Sequence, residues 1–192
     1  MFFLQRPTPQ IFKQFRQTAE RDSLSYEEVC ATLKDPLPSG YNIDHNRICL
    51  GRGEDLFERA RVALAQWKMF DLGWLKLIHP PVPVTPGQTV LILAHTWGLY
   101  SLSASRVLKM VDTDDGDTRR WGFCYGTLRH HVERGEERFT VEYSRKGDSV
   151  WYDILAFSRP QHPLARLAYP VSRAAQRRFA RDSKAVMQRV LS

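Results

Sequence analysis

The stretch that decides the fold is RRWGFCYGT, residues Arg119–Thr127. Its large side chains, Trp121, Phe123 and Tyr125, alternate with Gly122, Cys124 and Gly126. Successive side chains of a strand point to opposite faces, so the segment reads as a strand with one aromatic face and one very small face. The following segment repeats the pattern: Phe139, Val141 and Tyr143 alternate with Arg138, Thr140 and Glu142. A turn at Lys146-Gly147-Asp148 leads on to a strand over Val150–Ser158.

Reading upstream, the acidic turn Asp114-Asp115-Gly116-Asp117 closes a strand over Ser105–Asp112, and Gln88–Trp97 supplies the strand before it. His79–Gly87 carries four prolines and reads as a loop, with a short strand at Trp74–Ile78 ahead of it. Glu54–Phe70 reads as a helix, because Leu56, Phe57, Ala60, Leu64 and Trp67 keep helical spacing. Asn42–Leu50 is a first strand, ended by Gly51-Arg52-Gly53. Residues 164–190 read as a terminal helix, with Pro170 forcing a start or a kink. Consecutive hairpin-linked strands imply an antiparallel sheet with one face covered by the two helices. The expected fold is therefore α+β, of helix-grip type. A curved antiparallel sheet of about seven strands grips the long C-terminal helix, and such sheets often leave a cavity beneath it.

Residues 1–40 are expected to form an N-terminal helical extension on a helix-grip domain spanning 41–192. Thr8, Pro9 and the stripe Ile11, Phe12, Phe15 predict a helix over 8–20. Ser25 and Glu28 have capping-box spacing for a short helix over Ser25–Lys34. Pro36, Pro38 and Gly40 then break the chain.

The chain's 192 residues, 43% hydrophobic and 11% aromatic, are enough for a sizeable core. The longest apolar run, Val90–Ala94, is far short of the roughly 20 residues a transmembrane helix needs. Met1–Leu4 lacks the cationic and apolar regions of a signal peptide. Cys30, Cys49 and Cys124 are odd in number and form no CxxC pair, which points to a reducing cytoplasm. The net charge of +7 is concentrated at one end. Residues 161–192 carry seven basic side chains against one acid, and the rest of the chain twenty-one against twenty.

On a helical wheel, Arg166, Arg173, Arg177, Arg181 and Lys184 form a basic ridge. Leu164, Ala168, Val171, Ala175, Phe179, Val186 and Val190 share the opposite side. Arg173, Arg177, Arg181 and Lys184 are candidate anion contacts, although an ordinary solvated face explains them more simply. No aromatic interleaves the ridge, which argues against nucleic acid. Peripheral contact with an anionic membrane is left open.

The densest polar stretch, Gly126–Phe139, joins two strands. His130 and His131 are adjacent and diverge if extended, so neither a metal nor a cofactor is expected there. Glu133, Glu136 and Glu137 alternate with Arg129, Arg134 and Arg138, as in a salt-bridged hairpin rim. Glu142 and Asp153 lie inside strands, and Asp182 lies on the apolar side of the terminal helix, one turn after Arg178. Each is a candidate acid–base group if it faces a cavity, but the parity of the strand residues does not settle the face. No GxSxG, P-loop or GxGxxG motif is present.

Several longer motifs carry a resemblance. YEEVCATLKDPLP from Tyr26, LGRG from Leu50, ALAQWKMFDLGW from Ala63, YGTLRHHVERGEERF from Tyr125, VWYDILAFSRP from Val150 and YPVSRAAQRRFARDS from Tyr169 together resemble the DUF1990 family, also called UPF0548. The resemblance runs from about Tyr26 to Met187. Two departures stand out: Cys30 where glycine is expected, and Ser101-Leu102-Ser103 in place of a motif ending in asparagine. The family is similar to the Bet v 1/START-like superfamily, whose members mostly hold hydrophobic ligands between sheet and helix.

Three functions follow as expectations. The first is a cytoplasmic module binding a hydrophobic or lipid-like small molecule, with Phe123, Tyr125, Phe139, Val141, Tyr143 and Phe179 lining its cavity. The second is an enzyme of cyclase or hydrolase type using Glu142, Asp153 or Asp182. The third is an interaction protein working through the basic helix.

Overall fold

Residues 1–80, 83–161 and 169–192 are described in a computed structural model. In chain order the elements are β1 (Phe2–Phe3), α1 (Pro9–Arg21), β2 (Asn42–Arg52), α2 (Glu54–Ala65), β3 (Leu75–Ile78), β4 (Thr89–Thr96), β5 (Leu99–Asp114), β6 (Thr118–Thr127), β7 (Glu133–Ser144), β8 (Ser149–Pro160) and α3 (Tyr169–Leu191). Leu164, Arg166 and Ala168, expected on the terminal helix, lie outside the described residues.

The strands make one curved antiparallel sheet in the order β2-β8-β7-β6-β5-β4-β3, and β1 pairs with β5 beside it. The inner, concave face packs on α2 and α3, so the architecture is the α+β helix grip. Alternation places Trp121, Phe123, Phe139 and Val141 on that face. They meet Phe57 and Leu64 of α2, then Trp67 and Phe70 just beyond it. The Trp67 and Phe123 rings are 4.8 Å apart and those of Phe70 and Phe139 5.6 Å, both edge-on as aromatic quadrupoles prefer.

The N-terminal segment covers the outer face. Thr8 accepts from the Ile11 amide to cap α1, which buries Phe15 and Ala19 against Leu91, Leu93 and Leu102. Arg106 of β5 donates to the carbonyls of Ala19, Glu20 and Asp22, supplying the end of α1 with a cation and donors.

Five elements differ from their sequence reading, among them β7, which begins at Glu133 rather than at Arg138. Helix α2 stops at Ala65, because Trp67 takes a positive φ of 61° and a 3₁₀ turn follows at Lys68–Phe70. The apolar rhythm continues to Phe70 only because both aromatics turn inward. Ser25–Lys34 holds no α-helix: Leu24 bridges to Leu128, and only Ala31–Leu33 coils, as a 3₁₀ turn. β5 begins six residues before Ser105, behind a two-residue turn in which Trp97 and Gly98 both have positive φ. The buried stripe of α3 is Ala180, Ser183, Met187 and Leu191, with Val186, while Val171 and Val190 are exposed.

Candidate functional site

The inner face changes character along its length. Where its side chains are large, α2 and the aromatics after it fill the space. Towards the other end they become small: Ala94 on β4, Ser101 and Ser103 on β5, Gly135 on β7 and Ala156 on β8. The helix above is equally spare there, with Ala175 facing the gap. A cavity of about 520 Å³ remains between sheet and α3, within the range of small-molecule sites. Phe70, Trp74, Tyr125 and Phe179 line it, and the exposed side chains of Trp97, Leu99 and Val171 mark its mouth.

A few polar groups enter this apolar space. Glu137 lies deep in the molecule yet keeps some accessible surface, as a side chain facing a cavity does. It accepts a hydrogen bond of 2.9 Å from the Tyr125 hydroxyl. Burial raises its carboxyl to about 7 against that hydrogen bond, with the Asp44 charge adding to the rise. Glu133, four residues back, is also raised to about 7, mainly by burial, with Arg173 opposing and Asp44 assisting. His131 is pushed down to about 4 by burial, so its imidazole is neutral at physiological pH, and its Nδ1 lies 3.0 Å from the Glu133 amide. Beside them the Tyr152 hydroxyl shares a 2.9 Å hydrogen bond with Ser183, tying β8 to α3. Among the described residues, no three His, Cys, Asp or Glu side chains cluster as a metal ion requires.

Of the expected lining residues, Tyr125 and Phe179 line the cavity. Phe123, Phe139 and Val141 are fully buried in the aromatic core beside it, and Tyr143 packs near Phe57 with its hydroxyl on Asp148. The three expected carboxylates lie elsewhere. Glu142 is on the outer face, paired with Arg47 at 2.7 Å and Arg120 at 3.5 Å. Asp153, also outward, is shared by His45 at 2.6 Å and Arg138 at 3.1 Å. Asp182 sits on α3 at the Trp74 indole, 2.9 Å away, between Arg181 and Arg178. Burial acts to raise its pKa, but the Trp74 and Arg181 hydrogen bonds outweigh burial and hold it below the usual carboxylate value.

The basic ridge is divided. Arg173 grips both Asp44 oxygens, at 2.6 and 2.7 Å, and Lys184 reaches Asn46 at 3.2 Å. Arg181 pairs with Asp182, and Arg177 is exposed. No helix among the described residues is long and apolar enough to cross a membrane.

The sequence pattern places Glu133 and Glu137 in a salt-bridged rim. Instead they face the cavity, while Glu136 is buried on the outer face. It accepts from the Tyr26 hydroxyl at 2.8 Å, the amides of Cys30 and Thr32 at 2.7 and 2.9 Å, and the Thr32 hydroxyl. The signal was present in the sequence: residues 133, 135 and 137 share the parity of Phe139, Val141 and Tyr143.

Sheet, helix and cavity together define a helix-grip protein with a mostly apolar internal pocket. The chain belongs to the DUF1990 family ("domain of unknown function"), whose model matches residues 25–186. A UPF0548 protein of Dictyostelium discoideum is 36% identical over 199 residues, 95% of this chain and 92% of the relative. One from Deinococcus radiodurans is 38% identical over 192 residues, 94% of each chain. Among solved structures, that of Ara h 8.0201 is similar at 13% identity and a TM-score of 0.48, covering 79% of this chain and 99% of that one. Human STARD10 is similar at 13% identity and 0.48, covering 97% and 80%. These two are likenesses of overall shape.

Proposed function

We propose that the protein binds an apolar or amphipathic small molecule between the sheet and α3, sheltering it from water. The cavity of about 520 Å³ carries this reading. Its apolar lining supplies most of the binding free energy, and its few polar groups set the ligand's orientation. Three free cysteines accord with action in the reducing cytoplasm. Native mass spectrometry of the purified protein, followed by organic extraction, tests the proposal. A defined small molecule released in near-stoichiometric amount is the expected result. A bare mass, with no apolar metabolite shifting the melting temperature, would sink it.

One observation favours a second reading, acid–base catalysis in the same cavity: Glu137 holds a proton-exchanging carboxyl in an apolar wall beside the Tyr125 hydroxyl. The extracted molecule, returned to fresh protein, would then be recovered chemically changed. Its recovery intact leaves binding alone.

A further inference from the structure

One tryptophan is left in water. Of the five, Trp97 is 66% exposed, whereas the other four are buried or half-buried. It forms the tip of the β4–β5 hairpin, where its φ is 50° and that of Gly98 is 78°. Such a turn suits Asn-Gly, and a bulky side chain in the left-handed region costs free energy. The fold thus holds an aromatic ring in solvent where a small polar residue would stabilise the turn better, and strain kept in this way points to a use. Three more exposed apolar side chains lie at the same end of the sheet. Leu99 follows the turn, Val171 stands with it at the cavity mouth, and the pairing of Phe3 with Tyr100 brings Leu4 to the same edge.

The chain around this apolar rim is basic. Residues 1–6, 95–101 and 169–181, which supply the rim, contain five arginines and no Asp or Glu. Asp44 answers Arg173, and Asp182 is shared by Arg178 and Arg181. Arg6 and Arg177 are exposed and make no ion pair among the described residues. The rim therefore keeps an excess of positive charge.

We propose that the rim docks on an anionic membrane surface, with Trp97, Leu99 and Leu4 entering the headgroup region and the arginines meeting lipid phosphates. Tryptophan favours that interface, apolar neighbours add buried area, and each nearby cation adds attraction. A second copy of the chain fits the rim less well, since a two-fold contact sets the arginines of each copy against those of the other. Docked in this way, the cavity mouth opens onto the bilayer, and an apolar ligand enters or leaves without crossing water. Docking is distinct from the pocket's occupant and is measured without one, so either reading can fail alone.

The test floats the full chain with vesicles of phosphatidylcholine, either alone or with about 30% phosphatidylglycerol, at about 0.1 M salt. Binding to the anionic vesicles should be about tenfold tighter or more, and should weaken as salt is raised. Trp97→Asn should cut it about tenfold while keeping or raising the melting temperature, because asparagine accepts the φ of the turn. Arg177→Ala should cut it about fivefold. Val62→Ala, which removes an exposed valine from α2, should leave it unchanged. Absence of binding to the anionic vesicles overturns the proposal, as does equal binding to both compositions or binding that survives Trp97→Asn. A dimer in analytical ultracentrifugation that Trp97→Asn dissolves, with no vesicle binding, overturns it too and assigns the rim to a second copy.

Discussion

Neighbouring residues of β7 carry carboxyls with opposite surroundings. Glu136 points outward into four donors and anchors the segment from Tyr26 to Thr32. Replacing it by alanine strips the buried amide of Thr32 and the half-buried amide of Cys30 of their acceptor. Glu136→Ala should lower the unfolding free energy by about 3 kcal/mol in urea denaturation, and Glu136→Gln by less. Glu137 points inward, where burial lifts its carboxyl from 4.5 to about 7. The folded chain then holds a proton that the unfolded chain has released, so this group makes the fold less stable as pH rises from about 4.5 to about 7. His131 works in the opposite sense between about 4 and 6.5, since only the unfolded chain takes up its proton there. The comparison that isolates Glu137 is wild type against Glu137→Gln. The variant's stability advantage should be near zero at about pH 4 and grow until about pH 8. Asp153 is different again: it is buried among Arg138, His45 and Arg47. Asp153→Ala should cost about 3–5 kcal/mol, because it leaves cationic partners uncompensated, and should leave ligand affinity unchanged.

Among the elements, those with strict alternation or clean helical spacing were legible. β6 follows from residues 119–127, the second half of β7 from 138–143, and α1 from its cap, its proline and its stripe. What stayed hidden depends on distant partners. β1 is two residues long and exists only through pairing with Tyr100 and Ser101. The segment after Ser25 has capping-box residues, yet its amides are claimed by Glu136, more than a hundred residues away. Gly126 marks the same contact, since a Cβ there would lie 2.2 Å from the Tyr26 hydroxyl. Arg106 provides a test at this scale. It holds three carbonyls at the end of α1, so Arg106→Ala should lower stability by about 2 kcal/mol. Amide exchange should quicken in the last turn of α1 and leave β6–β8 unaffected.

For the whole molecule, the helix grip was readable from element order, but the cavity's position was not. Side-chain parity identifies the inner face of β6 and β7, and the sequence reading expects the aromatics there to line the cavity. Tyr125 does line it, but Phe123 and Phe139 belong to the core, because α2 and the aromatics Trp67 and Phe70 cover them. The open space lies where the wall residues are small, and small residues signal a void only once both walls are known. Ser101 and Ser103, noted in the sequence as a departure at a turn, are two such wall residues within β5. Filling the void is therefore a direct test. Ala156→Phe should abolish ligand binding while keeping or raising the melting temperature, because its ring enters existing space.

Gly135 gives β7 a means of proofreading its own pairing. Its φ is 147°, and a Cβ there would lie 2.0 Å from the Phe157 carbonyl oxygen, so the place opposite that carbonyl is closed to any side chain. A slip of one residue would push Arg134 or Glu136 against it. The same slip would turn Glu137 out to the donors meant for Glu136, and Glu136 into the apolar cavity. Latch and ligand wall would fail together, so a mispaired chain has no shallow minimum in which to rest.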